Sequence, residues 1–121
     1  MEKGYNPDFD IDLAFGESYE DSLAEILQKG KVEVKTERDI WKTTGNIVFE
    51  IKCKDKPSGI SKTKVDYWAQ ILTYKNDIKS ILLFPVPVLK AQLKHLLGKN
   101  IAKTIKGGDY NESELIIVPL N

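Results

Sequence analysis

The chain has 121 residues, 41% apolar and 30% charged, with 18 basic and 18 acidic side chains and a net charge of zero. That size and balance fit one globular domain, and the zero net charge argues against an overtly basic nucleic-acid binder. One cysteine and one histidine exclude an internal disulfide and a structural zinc site of four such ligands. The longest apolar run, residues 81–88, is too short to span a bilayer, and residues 1–12 are polar and acidic, with no signal-peptide pattern. The expected setting is the cytoplasm, of a bacterium or of a virus-infected host, with no membrane partner.

The charge is segregated. Residues 1–25 carry Glu2, Asp8, Asp10, Asp12, Glu17, Glu20, Asp21 and Glu25 against Lys3 alone. Residues 52–64 carry Lys52, Lys54, Lys56, Lys62 and Lys64 against Asp55, and residues 90–106 carry five lysines and no acid. A neutral chain patterned this way can still present a basic face, although any single such lysine reads first as solvated surface.

In chain order, residues 9–15 alternate enough for a short strand or extended arm. Residues 17–28 predict a helix, with Tyr19, Leu23, Ile26 and Leu27 on one face and Gly30 as its stop. Residues 31–41 and 46–54 predict two strands joined by a turn at Thr43, Thr44 and Gly45. Residues 56–60 form a loop by their Pro and Gly. Residues 63–74 predict a second helix with Val65, Trp68, Ala69 and Leu72 inward. Residues 80–84 predict a strand buried on both faces, 88–97 a third helix stopped by Gly98, and 115–118 a last strand. Together these predict one α/β domain over residues 1–121, built on a mixed sheet flanked by helices. Cys53 falls in a strand and reads as a packed thiol. His95 reads as helix surface.

The two middle strands make a geometric claim. If they form a hairpin with both apolar sets inward, Glu33, Lys35 and Glu37 share the other face with Glu50 and Lys52. A turn centred on Thr43-Thr44 sets Glu37 opposite Glu50; one centred on Thr44-Gly45 sets Glu37 opposite Lys52. Like charges facing each other across strands are destabilising, and lysines or a divalent cation would offset them. Mg²⁺ is usually held by one or two carboxylates plus substrate phosphates. A lysine beside it can steady developing negative charge. That set suffices for phosphodiester hydrolysis. The plainer reading is a solvated face laced with weak ion pairs.

The order of these features resembles the PD-(D/E)xK nuclease superfamily. Gly16-Glu-Ser-Tyr-Glu20 and Gln70-Ile-Leu-Thr-Tyr74 look like its helical motifs, and Glu37 lies 13 residues before Glu50-Ile-Lys52, a spacing similar to that in small Holliday-junction resolvases. Val32-Glu-Val-Lys-Thr-Glu37, Thr44 to Glu50, Pro57-Ser-Gly-Ile60 and Thr63 to Trp68 look like small stand-alone phage-type members. The likeness covers about residues 16–85, leaving the helix and strand of 88–120 outside it.

The resemblance implies a restriction-endonuclease-like αβββαβ core and a Mg²⁺- or Mn²⁺-dependent DNA nuclease, with an endonuclease favoured. It implies Glu37, Glu50 and Glu20 as metal ligands and Lys52 as the catalytic lysine. Lys54, Lys56, Ser58, Lys62, Lys64 and Gln70 would contact DNA, and Thr63 would cap the second helix or hold a phosphate there. Two cuts in a duplex would need two sites, so a homodimer is expected. The chain departs from the family in having Glu37 where Asp is usual. The competing assignment takes Glu33 as the acid, or Glu33 and Lys35 as the motif, with Asp8, Asp10 or Asp12 upstream. The competing function is a DNA-binding module on the same fold without catalysis.

Overall fold

A computed structural model describes the backbone of residues 7–121 and the side chains from residue 16 onward. The chain divides into two units, Met1–Lys31 and Val32–Asn121.

Within the first unit, helix α1 spans Pro7–Lys29. It takes in residues 9–15, so the short strand expected there is not formed. Their period-2 pattern yields to continuity with the helix that follows, whose stop comes only at Gly30, where the amide donates to the Ile26 carbonyl at 2.8 Å. Tyr19, Leu23 and Leu27 are exposed on α1, as is Glu20. The side chains of Asp8, Asp10 and Asp12 lie outside the described residues.

The second unit is α/β. Its elements are β1 (Val32–Arg38), α2 (Ile40–Thr44), β2 (Asn46–Cys53), β3 (Lys56–Pro57), a 3₁₀ turn (Gly59–Ser61), β4 (Tyr67–Tyr74), β5 (Asp77–Pro85), α3 (Val86–Gly98), β6 (Lys103–Gly107) and β7 (Ser113–Pro119). Two sheets form. One is mixed, in the order β1-β4-β5, with β1 parallel to β4; the other is antiparallel, in the order β3-β2-β7-β6. Ile47 and Phe49 of β2 and Ile116 of β7 pack with Trp68 and Leu72 of β4 and with Val86, Leu89 and Leu93 of α3. The Phe49 ring sits 6.4 Å from both Trp68 and Phe84. No helix among the described residues is long and apolar enough to cross a membrane.

Three expectations are corrected. First, β1 and β2 form no hairpin; each joins a different sheet. In place of a two-residue turn, Asp39 adopts φ 52° and residues 40–44 coil into α2, which Gly45 ends at φ 73°. The Asp39 amide and the Trp41 indole N–H both donate to the Thr73 carbonyl, at 2.9 and 2.6 Å. These bonds tie the connection to the end of β4 and hold β1 out of a ladder with β2. Second, residues 67–74 are a strand, not a helix. Val65, Trp68, Ala69 and Leu72 fit a helical stripe, but Tyr67, Trp68, Ile71, Thr73 and Tyr74 are strand-favouring residues, and an eight-residue run satisfies either period. No helix N-terminus is therefore built at Thr63 to hold a phosphate. Third, β5 is an edge strand with Ile81 57% exposed, so it is not buried on both faces. Strand β6 went unforeseen; its run Lys-Thr-Ile-Lys-Gly offers only one aliphatic residue. The single central sheet of a restriction-endonuclease-like core is replaced by these two sheets. Strand β3 and the 3₁₀ turn at Gly59–Ser61 stand where a loop is expected, while β1, β2, β5, β7 and α3 fall where expected, within two or three residues at each end.

Candidate active site

Along β1, Glu33, Lys35 and Glu37 register with Trp68, Gln70 and Leu72 of β4. Partners in a parallel ladder point to one side, and these three β4 residues are 3%, 0% and 3% exposed. The acids and lysine of β1 thus rise on the inner side of the mixed sheet, at its rim.

Gln70 organises that rim. Its Oε1 accepts the Trp68 indole N–H at 2.8 Å. Its Nε2 donates to Glu37 Oε2 at 2.6 Å and to the Val48 carbonyl at 3.1 Å. The Val48 amide in turn donates to the Glu37 carboxylate at 3.2–3.3 Å. No strand pairs with β2 on this side of Val48, since β3 covers only Lys52 and Cys53. Two side chains therefore satisfy a backbone edge that would otherwise need a third strand. Burial pushes the Glu37 carboxyl pKa up; the bonds from Gln70 and Val48 and the charge of Lys35 pull it partly back.

Glu33 and Glu50 are held elsewhere. Thr63 Oγ1 donates to Glu33 Oε1 at 2.7 Å. Ser58 and Ser113 donate to the two oxygens of Glu50, each at 2.9 Å. One loop, residues 58–63, supplies a hydroxyl to each of these acids. Its tight path depends on Gly59, at φ 52°, where a Cβ would run into the Glu50 carbonyl oxygen.

Glu50 and Lys52 do not act as a pair. The β2–β7 register shifts between them: Glu50 stands opposite Leu115, Lys52 opposite Glu114. Three residues of β2 thus span two of β7, which turns Lys52 to the face opposite Glu50. Lys52 lies 4.0 Å from Glu114, and Lys106 approaches the same carboxylate at 3.7 Å. Glu33-Val34-Lys35, in an unbroken strand, keeps both functional side chains on one side. The expected pairings of Glu37 with Glu50 or Lys52 are absent from the ladders.

A cavity of about 500 Å³ opens beside Glu37. Lys35, Glu37 and Arg38 line it from β1, Ile40 and Trp41 from α2, and Val48, Ile105 and Ile117 from the antiparallel sheet. Of the expected DNA contacts, Lys54 lines a different, polar cavity with Asp55, Lys106, Asn111 and Glu112. Lys56, Lys62 and Lys64 are exposed. Ser58 is committed to Glu50, and Gln70 is fully buried. Arg38 and the apolar half of the cavity were not singled out by sequence reasoning. The signal for Arg38 was its place directly after the Glu33-x-Lys35-x-Glu37 alternation, where the strand ends.

Among the described residues no three His, Cys, Asp or Glu side chains converge on a point that could hold a metal ion. A closed three-carboxylate cage does not fit. A magnesium ion held by one carboxylate and substrate phosphates does fit Glu37, whose two oxygens meet only neutral donors among the hydrogen bonds above. No family model, curated protein or solved structure matches the chain at a significant level.

Proposed function

We propose that the chain is a metal-dependent DNA nuclease, with Glu37 and Lys35 as its working pair. The observation that carries this reading is the shared face of β1: an acid with a raised pKa and a lysine open together into one cavity. In this proposal Lys35 takes the role first given to Lys52, and Glu37 keeps the role of metal ligand.

Glu37 would hold Mg²⁺ or Mn²⁺, which when bound polarises a phosphoryl oxygen and acidifies a water. Lys35, two residues away on the same face, faces the negative charge that develops on the phosphoryl group. Arg38, which lines the same cavity, anchors a flanking phosphate with its planar fork. Gln70 positions Glu37 by one short hydrogen bond and keeps its carboxylate turned along the β2 edge. Glu50, bonded by two serines, is structural here. The test is incubation of purified protein with single-stranded, duplex and branched DNA in Mg²⁺, Mn²⁺ or EDTA. Cleavage that needs metal supports the reading, and intact DNA under every condition refutes it.

A second reading has its own support. The split of Glu50 from Lys52 favours a DNA-binding module without catalysis. It predicts retention of DNA at low salt with no cleavage and no thermal shift on adding Mg²⁺.

A further inference from the structure

We propose that the cavity beside Glu37 receives one unstacked nucleobase, so that the substrate is single-stranded or locally unpaired DNA rather than intact duplex. The inference rests on the nucleic-acid reading above and names the form of its substrate.

The cavity lining is divided by chemistry. Lys35 and Arg38 contribute two cations to the lining at the rim of β1, and cations suit phosphate. Ile40, Trp41, Ile105 and Ile117 contribute an apolar wall to the same lining. Two of these aliphatics stand open beside the charges, Ile40 at 73% and Ile105 at 40% exposure. Trp41 does not swing freely, because its indole N–H is fixed on the Thr73 carbonyl at 2.6 Å. A volume of about 500 Å³ is ample for a planar base with its sugar. Asn46, also in the lining, adds a polar side chain to it.

A phosphate alone has no use for the apolar wall, and a free hydrophobe has none for the two cations. A nucleotide needs both. In a duplex the base is stacked and paired, and reaching this wall would require its extrusion; in a single strand its π face is already free.

The chain has two tryptophans, and Trp68 is 3% exposed, so a base entering the cavity reports on Trp41. In EDTA, tryptophan fluorescence and affinity are measured with a short oligothymidylate, an abasic oligomer of the same length and charge, and a matched duplex. The oligothymidylate should quench the fluorescence and bind roughly 5- to 100-fold more tightly than the abasic oligomer. Ile40→Glu, at an exposed position, should erase that difference while the thermal melt stays put. Trp41→Phe should remove the quench. Equal affinity for the abasic and base-bearing strands overturns the proposal, as does tighter binding of the duplex, or no binding of either strand at low salt. Cleavage in Mg²⁺ is scored separately on the same strands. Base-dependent binding without cleavage ends the nuclease reading and supports this one; cleavage without base dependence does the reverse.

Discussion

A glutamine at 0% exposure in mid-strand has to bond at both ends of its amide, and Gln70 does so with three partners: the Trp68 indole, the Glu37 carboxylate and the Val48 carbonyl. Replacing it with leucine strands the indole N–H and removes the side-chain donor to Glu37 and to the Val48 carbonyl. Gln70→Leu should cost about 3 kcal/mol or more, read as a lower urea midpoint. Glu37 adds a pH signature. Burial raises its folded pKa above the ordinary carboxyl value of 4.5. A carboxyl raised in this way holds its proton more tightly folded than unfolded. The stability it contributes is complete below the unfolded pKa and is lost as pH rises through the folded one. In EDTA, wild-type stability should therefore fall across that window relative to Glu37→Gln, in unfolding curves from about pH 4 to about pH 8. Parallel curves for the two proteins would show that Glu37 carries no raised pKa. The alternation of Glu33, Lys35 and Glu37 was legible in the sequence, because a regular strand enforces it. The role of Gln70 was not, since a polar residue in a presumed helix reads as surface. In Trp68-x-Gln70-x-Leu72 the period of two was present but outvoted by the helical stripe.

Among the elements, β2 shows how one extra residue redirects chemistry. Alternation alone places Glu50 and Lys52 together; the register shift between them sends Lys52 to Glu114 instead. A bulge depends on pairing with β7, some 60 residues away, and has no local mark in Glu-Ile-Lys. The missing hairpin has a similar cause: Trp41 and Asp39 anchor to β4, a contact that the turn residues do not announce. By contrast, α3 was legible because its apolar stripe is long and Gly98 closes it. Two predictions belong here. Gly59→Ala, at positive φ and against the Glu50 carbonyl, should destabilise by more than about 1 kcal/mol in chemical denaturation. Glu114→Ala should cost less than about 1 kcal/mol, because Lys52 and Lys106 are themselves 52% and 59% exposed and the pairs are screened.

For the whole molecule, zero net charge says little, and the local grouping of charge says more. Lys35 and Arg38 share a cavity with one half-buried acid, so single-stranded DNA should bind with a salt dependence set by few contacts. Two phosphates correspond to a log–log slope of about −1.4, and Arg38→Ala should lessen it by about 0.7. A slope unmoved by that substitution would place the DNA elsewhere. The α/β class of the fold was legible from composition and the order of patterned segments. The partition into two sheets was not, because it is decided by which distant strands pair. Glu37 and Lys35 stand as the proposed reacting pair, and single-turnover cleavage of single-stranded DNA in Mg²⁺ by folded variants tests that most directly. Glu37→Gln should abolish cutting, Lys35→Ala should slow it about 100-fold, and Glu50→Gln should keep cutting. Wild-type rates from Glu37→Gln, or a Glu50→Gln protein that folds but no longer cuts, would contradict it.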